Sequence, residues 1–314
     1  MTTSNAEPRA VLLSVLAILL FLGSTTVFGD VFVFDRNTTV VGRIETYETR
    51  GGESLIEVAR KFSIGFNGVA EANPTLDPFV PGSGSRVIIP AQWILPDVTQ
   101  PTDIVVNLSD LRLYYFFTTH AGRFVATFPI GIGDEGRATP LGRYKIVQKL
   151  VQPQWQPPPS IRAEDPTLPR IVPPGPDNPL GSHALRLSRD SVLIHGTNRP
   201  FGVGRRVSHG CMHLYPEDIP ILFKMVPKGA TVTVVRQPVK VGRREGRIYM
   251  EVHPDSDFRG DYAGEAQRLL KIKRIEDRVS MAKVESVLKE KNGIPADITK
   301  DEGDSTTGLE GPQD

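Results

Sequence analysis

Apolar side chains at every second position within three runs between Ile104 and Phe128 constrain the fold of this chain more than any other feature. This spacing turns the side chains of an extended strand toward one face, and it occurs in three consecutive runs. The runs are Ile104, Val106 and Leu108; Leu111, Leu113 and Tyr115; and Phe124, Ala126 and Phe128. Ser109 and Asp110 separate the first two runs and indicate a tight turn. The spacing predicts antiparallel strands.

Later parts of the chain extend this prediction. Strands are expected at residues 144–151, 184–187, 192–195 and 232–235. One helix is expected after Pro216, because proline is tolerated in a first helical turn. We therefore predict a mainly β fold with minor α content, built from antiparallel sheets.

Ten prolines lie between Val151 and Leu180. Proline fixes its own φ angle and lacks a backbone donor, which excludes a long helix or a central strand there. Loops of this length in compact domains are often lids or binding loops. We expect a stiff extended segment that partly covers a functional site, with Trp155 and Arg162 facing a substrate. A plain surface connection is the alternative.

Two smaller units flank the β-rich region. Residues 47–91 are expected to run strand, helix, helix, strand, and Ser54 with Glu57 forms a capping-box signal at the first helix. Residues 238–298 are expected to hold a short strand and two charged helices. Residues 299–314 are polar and acidic, which predicts disorder.

The first residues predict export. A nearly continuous apolar run from Ala10 to Gly29 follows Arg9, which is the layout of a signal peptide over residues 1–29. An apolar run of about 20 residues also suffices for an uncleaved inner-membrane anchor. The expected location is the periplasm or cell envelope. With 37 basic and 36 acidic residues, the balance of charge argues against a nucleic-acid partner.

Cys211 is the only cysteine, and it lies in the run Ser208-His209-Gly210-Cys211, downstream of His195. A free thiol is only slightly ionised at neutral pH, so a nucleophilic cysteine needs a base such as imidazole. Gly210 leaves room for a substrate carbonyl, and N–H groups of such a turn can face a developing oxyanion. The pattern indicates a nucleophile.

Two alternatives remain open for this cysteine. Free cysteines are often buried as small hydrophobic residues, although polar neighbours are unusual for that role. His209, Cys211 and His213 alternate and could share a metal on one face. The chain offers no second cysteine, whereas structural zinc sites usually hold two or more. We predict no metal and no cofactor.

The residues around Cys211 and His195 resemble the L,D-transpeptidase (YkuD-type) family of bacterial cell-wall enzymes. The resemblance covers about residues 101–237 and includes the segments Asn107-Leu108-Ser109, Thr139-Pro140-Leu141-Gly142 and Gly175-Pro176-Asp177-Asn178-Pro179-Leu180-Gly181. Residues 47–91 resemble the LysM module, a small α+β glycan-binding fold, in a degenerate form with Glu53 in place of the usual aspartate. The resemblance implies a β-rich catalytic domain preceded by a LysM-like module and followed by the strand and helical extension.

The resemblance also implies roles for particular residues. Cys211 would be the nucleophile, His195 the base and the Gly196 carbonyl its orienting group, with His209 and Gly210 lining the site. The donor would be a peptidoglycan tetrapeptide stem, cut between diaminopimelate and the terminal D-alanine. The acyl group would pass to an amine of a second stem or of an outer-membrane lipoprotein. Hydrolysis of the same stems, or peptidoglycan binding without catalysis, are the alternatives.

One position departs from the family pattern. The family usually has arginine where this chain has His213, and neutral imidazole cannot replace the two parallel hydrogen bonds that arginine makes to a carboxylate. Arg199, Arg205 and Arg206 are nearby candidates for the missing charge. The predicted substrate-binding residues are Ser208, His213, Asn198, Arg206 and Trp155.

Overall fold

A computed structural model describes residues 31–189 and 192–301 of the chain. The predicted signal peptide or anchor, residues 1–29, lies outside the described residues. So do residues 302–314 of the predicted tail. Within the described ranges, no helix has the length and apolar character needed to cross a membrane.

Strands dominate the described residues. In chain order they are β1 (Val31–Val33), β2 (Val40–Gly42), β3 (Glu45–Glu48), β4 (Arg86–Ile89), β5 (Gln92–Ile94), β6 (Ile104–Asn107), β7 (Arg112–Thr119), β8 (Gly122–Pro129), β9 (Ile132–Gly133), β10 (Gly142–Val151), β11 (His183–Leu187), β12 (Leu193–His195), β13 (Arg206–Ser208), β14 (Met212–His213), β15 (Thr231–Val235), β16 (Val239–Arg244), β17 (Arg247–Val252) and β18 (Ala296–Asp297). The helices are α1 (Leu55–Lys61), α2 (Phe66–Ala72), α3 (Pro159–Glu164), α4 (Ile219–Met225), α5 (Tyr262–Lys273) and α6 (Met281–Glu290), with 3₁₀ turns at Pro200–Gly202 and Glu276–Arg278.

Nine strands form one sheet in the order β1-β8-β7-β6-β15-β10-β11-β12-β14. The mainly β prediction is confirmed. Most neighbouring pairs are antiparallel, but β6 with β15 and β12 with β14 are parallel, so the expectation of purely antiparallel pairing is wrong for these two pairs. Side-chain alternation predicts that a strand exists and does not specify the direction of a partner distant in sequence.

The sheet has two different faces. On one face the alternating apolar residues of β6, β7 and β8 form the main core, as their spacing predicts. Leu222 of α4 and Val226, which directly follows α4, belong to the same core. On the opposite face Val105, Tyr114 and Val125 pack against residues of the range 47–91, which we call the N-terminal unit. Because directly opposed residues of neighbouring strands project to the same side, this second face continues across the sheet to β11, β12 and β14.

The N-terminal unit has the predicted order of strand, helix, helix, strand, with β3 and β4 paired antiparallel. The capping box at α1 is present: Ser54 Oγ accepts from the Glu57 N–H at 3.3 Å, and Glu57 Oε2 accepts from the Ser54 N–H at 2.8 Å. Leu55, Val58 and Ala59 are buried at a spacing of three and four residues, and they form the inner face of the helix.

The N-terminal unit docks against the loop that precedes β13. Gly204 has a φ of +77°, and a Cβ there would lie 2.2 Å from Phe66 N and 2.4 Å from the Gly65 carbonyl carbon. Only a residue without a side chain permits this approach. Phe66 N–H donates to Val203 O at 3.3 Å, and Arg60 forms two hydrogen bonds to the Glu217 carboxylate.

A buried charged cluster joins the N-terminal unit, the large sheet and the C-terminal extension. Lys240 Nζ lies 2.6 Å from Asp110 Oδ2 and 2.8 Å from Glu251 Oε1, and all three side chains are almost fully buried. His253 donates to Glu251 at 2.7 Å and to Glu71 of α2 at 3.3 Å. Burial alone would lower the pKa of His253, but these two carboxylates outweigh it and raise that pKa to about 9.

The C-terminal extension forms its own small core. The hairpin of β16 and β17, with β18 beside it, packs against the apolar sides of α5 and α6. The two charged helices that the sequence predicts are α5 and α6, and both pack on the strands of this extension. The disorder predicted for residues 299–314 is wrong for the first two of them. Thr299 forms a backbone β-bridge with Val279, and Lys300 N–H donates to Arg278 O at 2.9 Å.

Candidate active site

Strand register brings Cys211 and His195 together. β12 and β14 are parallel neighbours with His195 opposite His213 and Ile194 opposite Met212. Cys211 immediately precedes β14, so alternation places it on the side of His195 and His213. Ile194 and Met212 project to the other side, into the main core. The rigid core thus holds the candidate catalytic face.

His195 is buried at the end of β12, with 7% of its surface exposed. Its Nδ1 donates to the carbonyl oxygen of Gly196 at 2.5 Å, which leaves Nε2 as the acceptor. Burial, together with the neighbouring His213, lowers the pKa of His195 to about 3. The ring is therefore a neutral base at any pH near neutrality, oriented by the carbonyl of Gly196.

Cys211 is partly exposed, and burial of its sulfur raises the pKa of the thiol above its ordinary value. The Leu193 N–H and the charge of Arg186 act in the opposite direction, but burial outweighs them. The resting site accordingly holds a neutral thiol beside a neutral imidazole.

The turn before Cys211 depends on a glycine. Gly210 has a φ of +95°, in the left-handed region that residues with a Cβ rarely adopt. Ser208 Oγ donates to the Cys211 carbonyl oxygen at 2.6 Å and closes the turn. This hydrogen bond gives Ser208, predicted to contact substrate, a role in shaping the loop that carries the thiol.

His213 does not offer a charge to a substrate. It is 5% exposed, and burial lowers its pKa to about 4, while a bond to the Gly202 carbonyl acts the other way. Its backbone pairs with Gly131, and a Cβ on Gly131 would lie 2.2 Å from the imidazole. His213 is therefore a buried neutral ring whose centre lies 6.2 Å from that of the His195 ring, and its contact with substrate stays a prediction.

The proline-rich segment contacts the rim of this site. Trp155 pairs through its backbone with Val172, which closes the segment into a loop, and the loop carries α3. Glu164 at the end of α3 lies 3.1 Å from Arg137 and 3.3 Å from His209 Nε2. His209 also contacts the Arg137 guanidinium. The segment is thus attached next to Cys211 through an exposed side chain.

Two other predicted substrate-binding residues contact other parts of the protein. Arg206 pairs with Asp255 at 3.4 Å and with Asp257, both in the C-terminal extension. Asn198 Nδ2 donates to Asp177 O at 3.0 Å and ties the loop after His195 to the proline-rich segment. Sequence spacing did not reveal these partners, because each lies more than 20 residues away.

The metal alternative finds no support at Cys211. Within the described ranges, the three-residue group with ligand atoms close enough to share an ion is Asp110, Glu251 and His253. The ammonium group of Lys240 already lies between the two carboxylates of that group. His209 is held by Glu164 and His213 by Gly202, so these histidines do not converge with Cys211.

Sequence reasoning missed Arg186 of β11, which lies on the same face as Cys211. The signal was available in principle, because Ala184 and Leu187 were assigned to a strand and Arg186 interrupts its apolar residues. An arginine at a half-buried strand position needs a polar partner or a ligand.

The charge state of the site predicts how Cys211 is alkylated. Iodoacetamide reacts with the thiolate, so the rate should be low at neutral pH and rise continuously into the alkaline range. The reason is that burial raises the pKa of the thiol. His195, with a pKa of about 3, holds no proton near neutral pH that could stabilise a thiolate. Intact mass measures incorporation, and Cys211→Ala is the blank. A rate plateau from about pH 5 to 8 would instead indicate a preformed thiolate and imidazolium.

Known proteins resemble the chain over this region. The family described as the L,D-transpeptidase catalytic domain (YkuD) matches residues 101–235. The probable L,D-transpeptidase ErfK/SrfK of Salmonella typhimurium is 38% identical over 261 residues, which cover 79% of this chain and 83% of that protein. The probable L,D-transpeptidase YbiS of Escherichia coli is 42% identical over 214 residues, covering 66% and 69%. The catalytic domain of the E. faecium L,D-transpeptidase, solved by NMR, is 22% identical with a TM-score of 0.33, and the match covers 44% of this chain and 99% of that domain.

Proposed function

The chain belongs to the L,D-transpeptidase family, and on that premise we propose that it is an exported enzyme that transfers peptidoglycan stem peptides through a Cys211 thioester. The observation that carries the proposal is the shared face of Cys211 and His195, with His195 Nδ1 held by the Gly196 carbonyl. This arrangement provides a nucleophile, a neutral base with a free Nε2, and an orienting acceptor.

The first half-reaction forms the thioester. The Cys211 thiol gives its proton to His195 Nε2 while the sulfur attacks the carbonyl carbon between diaminopimelate and the terminal D-alanine. Main-chain N–H groups at the Gly210 turn stabilise the oxyanion. The C–N bond breaks, and the amine of D-alanine leaves with the proton from His195. The imidazolium exists only within this step, and the Gly196 carbonyl that accepts Nδ1–H stabilises it.

The second half-reaction consumes the thioester. An acceptor amine attacks the same carbonyl carbon, loses a proton to His195 and expels the sulfur, which is then reprotonated. The acceptor is a diaminopimelate amine of a second stem, which gives a cross-link, or a lysine of an outer-membrane lipoprotein. Water in the same place would make the protein a carboxypeptidase or endopeptidase.

Location and the N-terminal unit complete the proposal. The apolar run of residues 10–29 directs export to the periplasm or cell envelope, either as a cleaved signal peptide or as an inner-membrane anchor. The LysM-like unit binds glycan near the stem peptide. Its docking at Gly204 supports this role, because it would hold a glycan contact at a fixed distance from Cys211.

The test follows the mass of Cys211. Purified residues 31–314 are incubated with a tetrapeptide-bearing muropeptide, with and without an amine acceptor, and Cys211→Ala is the matched control. We expect an adduct on the wild type equal to the stem peptide without its last D-alanine, and cross-linked product only with the amine. An unmodified wild type that behaves as Cys211→Ala would refute the enzyme proposal. Rapid loss of D-alanine without transfer would make the protein a hydrolase.

A further inference from the structure

Arg186 belongs to a row of side chains that crosses the sheet to the catalytic cysteine. Gln148 of β10 lies opposite Arg186 of β11, and Arg186 lies opposite Leu193 of β12. The next position in register, on the β14 side, is Cys211, one residue before the Met212 that pairs with Ile194. Opposed residues of neighbouring strands project to the same side, so Arg186 and Cys211 share the candidate catalytic face.

The contacts of Arg186 orient its guanidinium. Its Nε donates to Gln148 Oε1 at 3.2 Å, and the side chain is half-buried. Its positive charge reaches the sulfur, where it favours the thiolate of Cys211. A fixed cation on the same face as a nucleophile, two strands away in register, also attracts an anion bound at the reacting carbonyl.

Two of the three arginines that the sequence suggested for this task lie in other contacts. Arg205 stacks over the Phe66 ring at 5.6 Å, in the docking surface of the N-terminal unit. Arg206 pairs with Asp255 and Asp257. His213 is buried and neutral. Among these candidates and Arg186, only Arg186 combines a place on the catalytic face with an electrostatic effect on Cys211.

We propose that Arg186 binds the terminal carboxylate of the donor stem peptide, an inference that rests on the proposed function. In a tetrapeptide stem that carboxylate lies only two bonds from the nitrogen of the scissile bond. Arg186 lies two strands from Cys211 on the same face of the sheet, so its charge lies on the side where that carboxylate would be held. Arginine binds a carboxylate through two parallel hydrogen bonds, which a single Lys cannot reproduce.

This role makes Arg186 a specificity residue. A stem that ends at the fourth residue presents a carboxylate at that point, whereas a stem extended by one residue presents a neutral amide. Arg186 then selects tetrapeptide donors over longer ones. Arg186 should likewise favour a tetrapeptide over the same tetrapeptide with its terminal carboxylate converted to an amide. That conversion removes the negative charge and changes the shape of the donor little.

The experiment compares a tetrapeptide muropeptide with its C-terminal amide as acyl donors for the full exported chain. Rates of Cys211 acylation are measured for the wild type, Arg186→Gln, Arg186→Lys and Arg123→Gln, the last being an exposed arginine on distant β8. The wild type should prefer the carboxylate. Arg186→Gln should lower the carboxylate rate about 10- to 100-fold, the usual cost of a lost charged hydrogen bond, and should change the amide rate little. Arg186→Lys should recover part of the preference, and Arg123→Gln should match the wild type.

Two results would overturn the inference, and they differ in what else they refute. If the wild type is acylated but Arg186→Gln loses both donors equally, Arg186 has only a structural role and the proposed function stands. If the wild type is acylated by neither donor, the proposed function and the inference fail together. A loss of preference for the carboxylate donor that is confined to the Arg186 variants supports the inference.

Discussion

Replacing His195 with glutamine should lower the rate of Cys211 acylation by about 10²- to 10⁴-fold, the range that general-base catalysis contributes. Glutamine fills a similar volume and keeps a polar end, but it has no group that accepts a proton at neutral pH. Because burial keeps the thiol pKa above its ordinary value, the sulfur would then have to ionise unaided. The measurement is the rate at which a tetrapeptide muropeptide adds its acyl group to the protein, followed by intact mass.

The pH dependence of this variant separates a base from a packing residue. Residual acylation in His195→Gln should rise with pH as the thiol ionises, whereas the wild type should keep its rate well below pH 6.5, since its His195 pKa is about 3. His183→Gln is the matched control, because His183 lies on β11 with its ring against Phe223, on the side away from Cys211. Equal losses in the two histidine variants would contradict the assignment of His195 as the base.

Replacing Lys240 with methionine should reduce the free energy of unfolding by about 3 to 5 kcal/mol, because it removes the ammonium that pairs with two buried carboxylates and leaves Asp110 without its ion pair. Asp110 and Glu251 have side chains that are 1% and 0% exposed, and Lys240 Nζ contacts both. Methionine keeps the length of the aliphatic stem, so the change removes mainly the ammonium. Denaturant unfolding at neutral pH measures the difference from the wild type.

The control and the pH dependence identify the cause. Lys273→Met removes an ion pair with the exposed Asp97 and should cost less than about 1 kcal/mol. In the wild type, burial acts to raise the pKa of Asp110, but Lys240 and His253 hold it below its ordinary value. Without Lys240 the buried carboxyl should bind a proton more readily when folded than when unfolded. The difference in the free energy of unfolding between Lys240→Met and the wild type should therefore become smaller as the pH falls toward 4. A difference that does not change with pH would contradict this explanation.

Much of the fold could be predicted from local patterns. The alternation in β6, β7 and β8, the capping box of Ser54 and Glu57 and the helix after Pro216 each depend on neighbours within a few residues. The expectation for the proline-rich segment needed one correction. It contains the short helix α3, which begins at Pro159, because proline is compatible with the first position of a helix.

Charged and polar residues were harder to place. Arg206 pairs with Asp255 and Asp257, which follow it by about 50 residues, and Lys240 lies against Asp110, which precedes it by 130. An ion pair leaves no periodic signal in the sequence, since any distant residue of opposite charge can supply the partner. The same limit concealed the glycine at position 131 that makes room for His213.

The sequence by itself determined the mainly β fold, the family, and Cys211 with His195 as the candidate catalytic pair, because periodicity and a compact motif are local properties. Only the tertiary structure decided that His213 is a buried neutral ring, that Arg206 holds the C-terminal extension, and that Arg186 shares a face with Cys211. The physical reason is that charge, pKa and exposure depend on which strands and loops meet in space. Strand register set those meetings, and the chain pairs strands that are far apart in sequence.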